Sequence, residues 1–266
     1  MMRRWMNLGF VCLVLGACAE PEGPLSWEEF AAMAWQEPDT GAFITNGDEL
    51  AADRAALRDA YERYRAEVDD GDIGRAEQPL VVNRVGGKDD RWPDAQAMNL
   101  TYCVSRTSFG ARYHAVVSAV EAAAAAWQAV AAVRYVHRGE LDDACGKTAA
   151  VVFDVRQVSR QSYLARSFFP STSRSGRELL IDTSAFKNIA PWTLTGIVRH
   201  ELGHTLGFRH EHTRPEAGAC FEDNAWRALT RYDSASVMHY PQCNGTEEGD
   251  LVLTPLDKKG AGALYP

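Results

Sequence analysis

The segment HELGHTLGFRHEH, from His200 to His212, constrains this chain more than any other feature. On a helix of about 3.6 residues per turn, His200 and His204 project from one face, so both imidazoles can bind a single metal ion. Glu201 lies one position round the helix, where its carboxylate misses the metal but can take a proton from a metal-bound water. Gly207 can adopt a positive φ, which ends the helix and lets His210 return as a third ligand.

Three protein ligands leave one position of a tetrahedral zinc site open to water. Open zinc sites are the catalytic kind, and the metal lowers the pKa of its water to roughly 7. The spacing therefore predicts a Zn²⁺ site formed by His200, His204 and His210, with Glu201 as the general base. The alternative is a set of ordinary surface histidines on an amphipathic helix, and five fixed positions, three of them histidines, argue against it.

The pattern HExxHxxGxxH resembles the zinc signature of the metzincin peptidases, and SVMHY at 236–240 resembles their methionine turn. Within the metzincins, Glu211, the HExxRP run that contains it, and Tyr240 two residues after Met238 are similar to astacins. The HELGH core and the run to YPQCNG also resemble bacterial secreted peptidases of the dual-action HEIGH type, which are themselves astacin-like.

This resemblance implies a zinc endopeptidase of α+β fold, with a mixed twisted sheet, a long helix, the zinc helix, the methionine turn and a C-terminal helix. It implies that Met238 fills apolar space beneath the imidazoles. It also implies that Tyr240 is a fifth, displaceable ligand that then donates a hydrogen bond to the oxyanion, unless Tyr240 is only a buried structural residue. It also implies that Glu211 contacts the trimmed N-terminus, against the alternative of an ordinary cap or ion pair. His212 and His239 occupy positions that the family does not use as ligands.

Two other functions stay open at this point: a zinc-binding adhesion lipoprotein without turnover, and a metal-dependent amidase or esterase. The first would usually lack the glutamate, and Glu201 is present. For a peptidase the partner is a protein or peptide substrate. Arg209 and Arg214 lie near enough to the motif to favour an acidic substrate residue, but both could equally be structural. His114 and His137 are expected to be surface or core histidines outside the site.

Charged side chains are unevenly distributed along the 266 residues. Residues 19–90 carry 18 acidic and 7 basic side chains, whereas residues 91–266 carry 18 and 19, so the net charge of −8 belongs to the first segment. A nearly neutral second part with no basic cluster argues against a nucleic-acid partner. We expect a monomer with an acidic helical prosegment or spacer at 19–90 and the catalytic domain at 91–266.

The N-terminal residues 1–18 have the pattern of an export signal. Arg3 and Arg4 precede an apolar run that is shorter than the roughly 20 residues of a membrane-spanning helix. The end of this run, Leu15 to Cys18, resembles a bacterial lipobox, in which the cysteine becomes the lipidated first residue. The expected location is the bacterial envelope, with the outer membrane favoured, and the alternative is an ordinary cleaved signal and secretion.

Six cysteines are present, and Cys12 and Cys18 fall in the export signal. The remaining four are an even number, which is consistent with two disulfides in an exported protein. Three pairings are possible. We favour Cys220 with Cys243, which closes the segment between the third ligand and the methionine turn, and therefore Cys103 with Cys145; the alternative is four free buried thiols.

Hydrophobic periodicity predicts the elements that surround the motif. A strand at Leu164–Pro170 is our candidate for the sheet edge that pairs with substrate, although it could be a strand that never touches substrate. Helices are predicted at Trp27–Gln36, Glu49–Val68, Ala111–Val133, from about Pro191, at Asn224–Thr230 and at the C-terminus; strands are predicted at Leu80–Val85, Asn99–Ser105, Val133–Val136, Val151–Val155 and Glu178–Asp182.

The segment GAFITNGDEL at 41–50 is similar in composition to the prosegment motif of astacins, whose aspartate occupies the open zinc position. This resemblance implies that Asp48 is a latency ligand and that the chain is a zymogen cut between about Asp70 and Arg91. The spacing from Phe43 is longer than in the family. The alternative is an ordinary turn at Asn46 to Asp48 before a helix that begins at Glu49.

Overall fold

The computed structural model describes residues 25–66, 78–246 and 249–266. The helices are α1 (Trp27–Met33), α2 (Arg54–Arg65), α3 (Asp94–Ala97), α4 (Arg106–Phe109), α5 (Tyr113–Gln128), α6 (Leu194–Thr205) and α7 (Pro255–Leu264). The strands are β1 (Trp35–Gln36), β2 (Phe43–Thr45), β3 (Glu49–Ala51), β4 (Gln78–Val85), β5 (Lys88–Asp89), β6 (Leu100–Val104), β7 (Tyr135–His137), β8 (Phe153–Val158), β9 (Ala165–Arg166), β10 (Glu178–Asp182) and β11 (Trp226–Thr230). The predicted α+β class is therefore confirmed.

A five-stranded sheet in the order β7-β6-β8-β10-β9 forms the framework of the domain. Its strands are parallel except for β9, which pairs antiparallel with β10 at the edge of the sheet. The alanine-rich α5 packs on α6 beneath one face, and its buried Trp127 donates from Nε1 to the carbonyl of Arg199 at 2.9 Å. Small side chains on α5 allow this close approach, which fixes the zinc-motif helix against the core.

The N-terminal segment is less helical than predicted. Ser26 and Glu29 form the expected capping box at α1. However, α2 begins only after its N-cap Asp53, and Glu49 lies in a strand. Strands β1, β2 and β3 form an antiparallel sheet between the two helices, which the prediction of a mainly helical segment did not include.

A second small sheet has the order β11-β4-β5 and joins residues 78–89 to the catalytic part. Leu80, Val81 and Val82 on β4 are completely buried. The prediction of a helix at 224–230 was wrong, because Trp226–Thr230 is a strand held by pairing with β4. This sheet therefore joins residues from both sides of the predicted boundary at residue 90.

The predicted C-terminal helix is present as α7, and it fixes the methionine turn. Asp257 accepts hydrogen bonds from Ser236 Oγ at 2.6 Å and from the Val237 backbone N–H at 2.9 Å. Both favoured disulfides are present, Cys103–Cys145 and Cys220–Cys243. The Asp257 contacts and the Cys220–Cys243 disulfide hold the loop-rich part of the chain that follows α6.

No helix within the described residues is both long and apolar enough to cross a bilayer. Cys12 and Cys18, with the rest of residues 1–18, lie outside the described residues.

Candidate metal centre

Helix α6 brings the first two predicted ligands to one point. Its N-cap Thr193 accepts from the backbone N–H of Gly196 at 3.1 Å, which starts the helix in the register that turns His200 and His204 inward. The helix ends at Thr205, and Gly207 follows with φ +98°. A Cβ at Gly207 would lie 2.0 Å from the Asp90 carbonyl oxygen, so only glycine allows this return of the chain.

After this turn, His210 completes the cluster. His200 Nε2 lies 3.3 Å from His210 Nε2, and all three imidazoles are at most 4% exposed. The three predicted ligands are therefore brought together with one nitrogen each facing a common point.

Backbone carbonyls determine which nitrogens face that point. His200 Nδ1 lies 2.7 Å from the Val237 carbonyl oxygen, and His204 Nδ1 lies 2.8 Å from that of Phe208. A carbonyl can only accept, so each Nδ1 carries the proton. The Nε2 lone pairs therefore point into the site, which is the tautomer that a metal ligand needs.

A carboxylate, Glu222, has the same role for the third ligand. His210 Nδ1 donates to Glu222 Oε1 at 2.5 Å, and His212 and Arg209 contact the same carboxylate at 3.3 and 2.9 Å. Burial raises the pKa of Glu222, but His210, His212 and Arg209 outweigh burial and hold that pKa below its ordinary value. Glu222 was missed in the sequence, since it lies in a loop 12 residues after His210 without any motif spacing. Only the neighbouring Cys220, whose disulfide fixes this loop, is a sequence signal near it.

Glu201 is buried beside the histidines, with 2% of its surface exposed. Among the described residues, its Oε2 atom has no hydrogen-bond partner. Burial, reinforced by the Asp48 carboxylate, holds the pKa of Glu201 well above its ordinary value. A carboxyl group with a raised pKa and an open oxygen is suited to take up and return a proton.

Met238 lies directly below the zinc-motif helix, as the methionine turn predicts. It is completely buried, and a Cβ added at Gly203 would lie 2.4 Å from its sulfur. The glycine of HELGH therefore allows the methionine to pack against the helix between the first two ligands.

Asp48 lies against all three predicted ligands. Its carboxylate oxygens are 3.3 Å from His200 Nε2, 3.5 Å from His204 Nε2 and 3.1 Å from His210 Nε2. The turn from Asn46 to Asp48 joins β2 to β3, so the alternative of a turn before a helix is wrong at this position. The hairpin directs the carboxylate inward.

Tyr240 lies beside the same carboxylate. Its hydroxyl donates to Asp48 Oδ2 at 2.5 Å, and its ring is 4.4 Å from that of His210 between centroids. A Cβ at Gly47, which has φ +94°, would lie 2.8 Å from the Tyr240 ring. Glycine therefore allows the hairpin to approach the tyrosine closely.

These residues fit a zinc ion. Nε2 lone pairs from three imidazoles converge with the Asp48 carboxylate in one buried site. Within the described chain, His204 Nε2 and Asp48 Oδ1 have no hydrogen-bond partner. Lone pairs and a carboxylate repel one another unless a cation lies between them, and imidazole and carboxylate are ligands that zinc prefers.

The other histidines are engaged elsewhere. His212 Nδ1 accepts from the backbone N–H of Tyr240 at 3.2 Å, and His239 Nε2 lies 2.8 Å from the hydroxyl of Tyr232. His137 Nε2 pairs with Asp142 at 2.9 Å, and His114 is exposed. None of these four belongs to the described ligand cluster.

The predicted substrate arginines are both buried and paired. Arg209 contacts Glu49 and Glu222, at 3.2 and 2.9 Å, and also Asp223. Arg214 pairs with Glu211 at 3.0 Å, so Glu211 forms the ion pair that was the alternative to contact with a trimmed N-terminus. These ion pairs favour a structural role for both arginines over the binding of an acidic substrate residue.

Residues 91–217 match the family model of the matrixin peptidases, Peptidase M10. These residues are therefore similar to the peptidase domain of that family. The chain is similar to zinc metalloproteinase nas-14 of Caenorhabditis elegans, with 23% identity over 239 residues, 82% of this chain and 43% of that protein. It is similar to zinc metalloproteinase nas-30 of the same organism, with 32% identity over 89 residues, 26% of this chain and 12% of that protein. The chain thus spans less than half the length of these curated relatives.

Among solved structures, the chain is similar to myroilysin, with a TM-score of 0.45 and 20% identity over 70% of this chain and 98% of that one.

Glu222 provides a test of how the predicted zinc site holds its third ligand. In a Glu222→Ala variant, the loss of the Nδ1 partner should free His210 to rotate and weaken zinc affinity about 10- to 100-fold. Competition with a chromophoric zinc chelator measures this. Asp223→Ala is the matched control, because Asp223 also pairs with Arg209 but contacts no predicted ligand. Equal losses in the two variants would contradict the role of Glu222.

Proposed function

We propose that this protein is an exported, zinc-dependent endopeptidase that is synthesised as a zymogen. The observation that carries this proposal is the convergence of three buried Nε2 atoms beside Glu201, in a domain that matches a peptidase family. We further propose that it is astacin-like and related to the bacterial HEIGH-type peptidases, on the basis of Glu211 and of Tyr240 two residues after Met238.

Zinc held by His200, His204 and His210 would polarise the scissile carbonyl and make water acidic enough to lose a proton near neutral pH. The chain itself supplies the proton transfers. Glu201 takes the proton of the attacking water and then delivers it to the leaving amine, because its carboxylate is buried next to the site. The Tyr240 hydroxyl, once free of Asp48, donates a hydrogen bond to the oxyanion of the tetrahedral intermediate.

Glu201→Ala should keep zinc and the fold while losing about 10²- to 10⁴-fold in turnover of denatured casein, because the base is removed and the ligands remain. His210→Ala should lose zinc outright. Zinc content of both purified variants, measured with casein hydrolysis of the activated protein, checks the two roles.

Zinc loss in Glu201→Ala would show that Glu201 is a ligand rather than the base. Casein left intact while small esters or amides are hydrolysed would favour the amidase or esterase alternative. Bound zinc without turnover of either substrate class would favour the adhesion lipoprotein.

Latency rests on the position of Asp48. Its contacts with three imidazoles and with the Tyr240 hydroxyl support a ligand that fills the position where water would otherwise be activated. The hairpin is fixed by Glu49, which pairs with the buried Arg209. We narrow the activating cut to residues 70–77, because cleavage nearer Arg91 would break β4 out of its sheet.

Asp48→Ala should raise casein hydrolysis of the uncut chain at least 10-fold, because the open position becomes available to water. Casein hydrolysis by the uncut parent gives the lowest expected rate, and hydrolysis by the parent cut at 70–77 gives the highest. Asp59→Ala, an exposed aspartate on α2 of the same segment, is the control and should stay silent. An uncut parent as active as the cut protein, or a silent Asp48→Ala variant, would remove the zymogen hypothesis.

We propose that Cys18 carries a lipid that anchors the mature chain to a membrane surface, because Leu15 to Cys18 has the lipobox pattern. Cys18→Ser should move the protein from the membrane fraction to the soluble fraction, and mass spectrometry should detect acyl chains only in the parent. Unchanged fractionation, or a parent protein without the mass of acyl chains, would contradict lipidation and favour simple secretion.

A further inference from the structure

Glu37, in the turn after β1, forms a third buried acidic contact between the prosegment and the catalytic domain. Its carboxylate accepts from Arg166 Nε at 2.7 Å and from Arg166 Nη2 at 3.0 Å, and it also binds the Tyr163 hydroxyl. Both charged side chains are 1% exposed. Two parallel N–H···O bonds between a guanidinium and a carboxylate are the most specific form of charge recognition in proteins.

Arg166 depends on the prosegment for this partner. Within the described residues it also interacts with Tyr163, with the Glu178 backbone carbonyl at 3.4 Å and with the Glu178 carboxylate at 3.7 Å. That carboxylate already binds Lys147 at 3.3 Å and also Arg156. When the prosegment leaves, Arg166 therefore keeps a positive charge whose close bidentate acceptor is gone.

Arg166 lies at the border of the candidate cleft. It is the last residue of the edge strand β9, and Tyr163 and Ala165 line the cleft together with His200 and Glu201. Because Arg166 pairs with Leu180, the two side chains share the sheet face opposite α5 and α6. A substrate strand that paired with this edge would place alternate side chains on the face that holds this guanidinium.

An apolar surface adjoins the arginine. Ile44 and Leu50 of the prosegment hairpin pack against Tyr163 and Leu180, next to the place that Glu37 occupies. The prosegment thus presents the Glu37 carboxylate and two aliphatic side chains, Ile44 and Leu50, to the edge of the sheet. The sheet edge therefore binds a carboxylate next to aliphatic side chains.

We propose that, once the prosegment leaves, Arg166 and the Tyr163 hydroxyl bind an acidic side chain of the protein substrate at the place held by Glu37. The inference rests on the proposed peptidase function and on prosegment release. It assigns a substrate class: segments with a glutamate or aspartate near the scissile bond and an aliphatic residue close to it. A lysine there is repelled, and a glutamine loses the charge-assisted part of the contact.

The test uses the full-length protein cut at 70–77 and freed of the prosegment, assayed on peptide pairs that differ only by Glu or Gln at one position. We expect one position at which the Glu peptide has a kcat/KM at least 10-fold higher. Arg166→Gln should bring that ratio close to 1, and Arg166→Glu should reverse the preference towards lysine. Casein hydrolysis by the wild type, measured in parallel, reports the peptidase function separately.

Arg156→Gln is the matched control, because Arg156 binds Glu178 but does not contact Glu37, and its acidic preference should persist. If Arg166→Gln does not fold, Arg166→Lys keeps the charge without the fork and should reduce the ratio. Casein hydrolysis without an acidic preference at any position would overturn the subsite and leave the peptidase standing. A preference that is unchanged in the Arg166 variants would also overturn it.

Discussion

The site depends on the proton position of three imidazoles. His200 and His204 donate from Nδ1 to backbone carbonyls, and His210 donates to Glu222, so every Nε2 lone pair faces inward. The three acceptors come from the methionine turn, the chain reversal after Gly207 and the loop fixed by Cys220. The fold around α6 is therefore the means by which distant segments set one tautomer in each ligand.

Acidic residues of the proposed prosegment make specific buried contacts. Glu37, Asp48 and Glu49 are each buried, against Arg166, the predicted zinc ligands and Arg209 respectively. A nearly neutral domain could not attract this segment by net charge, since separated surface charges are screened within about 10 Å at moderate salt. Specific buried pairs do fix it, and they also define the register of the hairpin on the sheet edge.

The histidines, Glu201, Met238 and the C-terminal helix could be predicted because their chemistry is encoded in short spacings. The start of α2 could not, because the helix-favouring composition extends back to Glu49 while strand pairing and Arg209 hold Glu49 in β3. The strand at Trp226–Thr230 needs β4, a partner more than 140 residues earlier in the chain, which no local pattern reveals. Glu222 and Arg166 were missed for the same reason.

Buried ion pairs are also compatible with the proposed release of the prosegment after one cut. Glu37 with Arg166, and Glu49 with Arg209, lose hydration on docking, and such pairs add specificity more than net affinity. While the chain is intact, the tether keeps the segment at an effective concentration on the order of millimolar. Cleavage removes the tether without altering a contact, so modest affinity then allows dilution to release the segment. The same balance would allow a substrate carboxylate to take the place of Glu37, as proposed above.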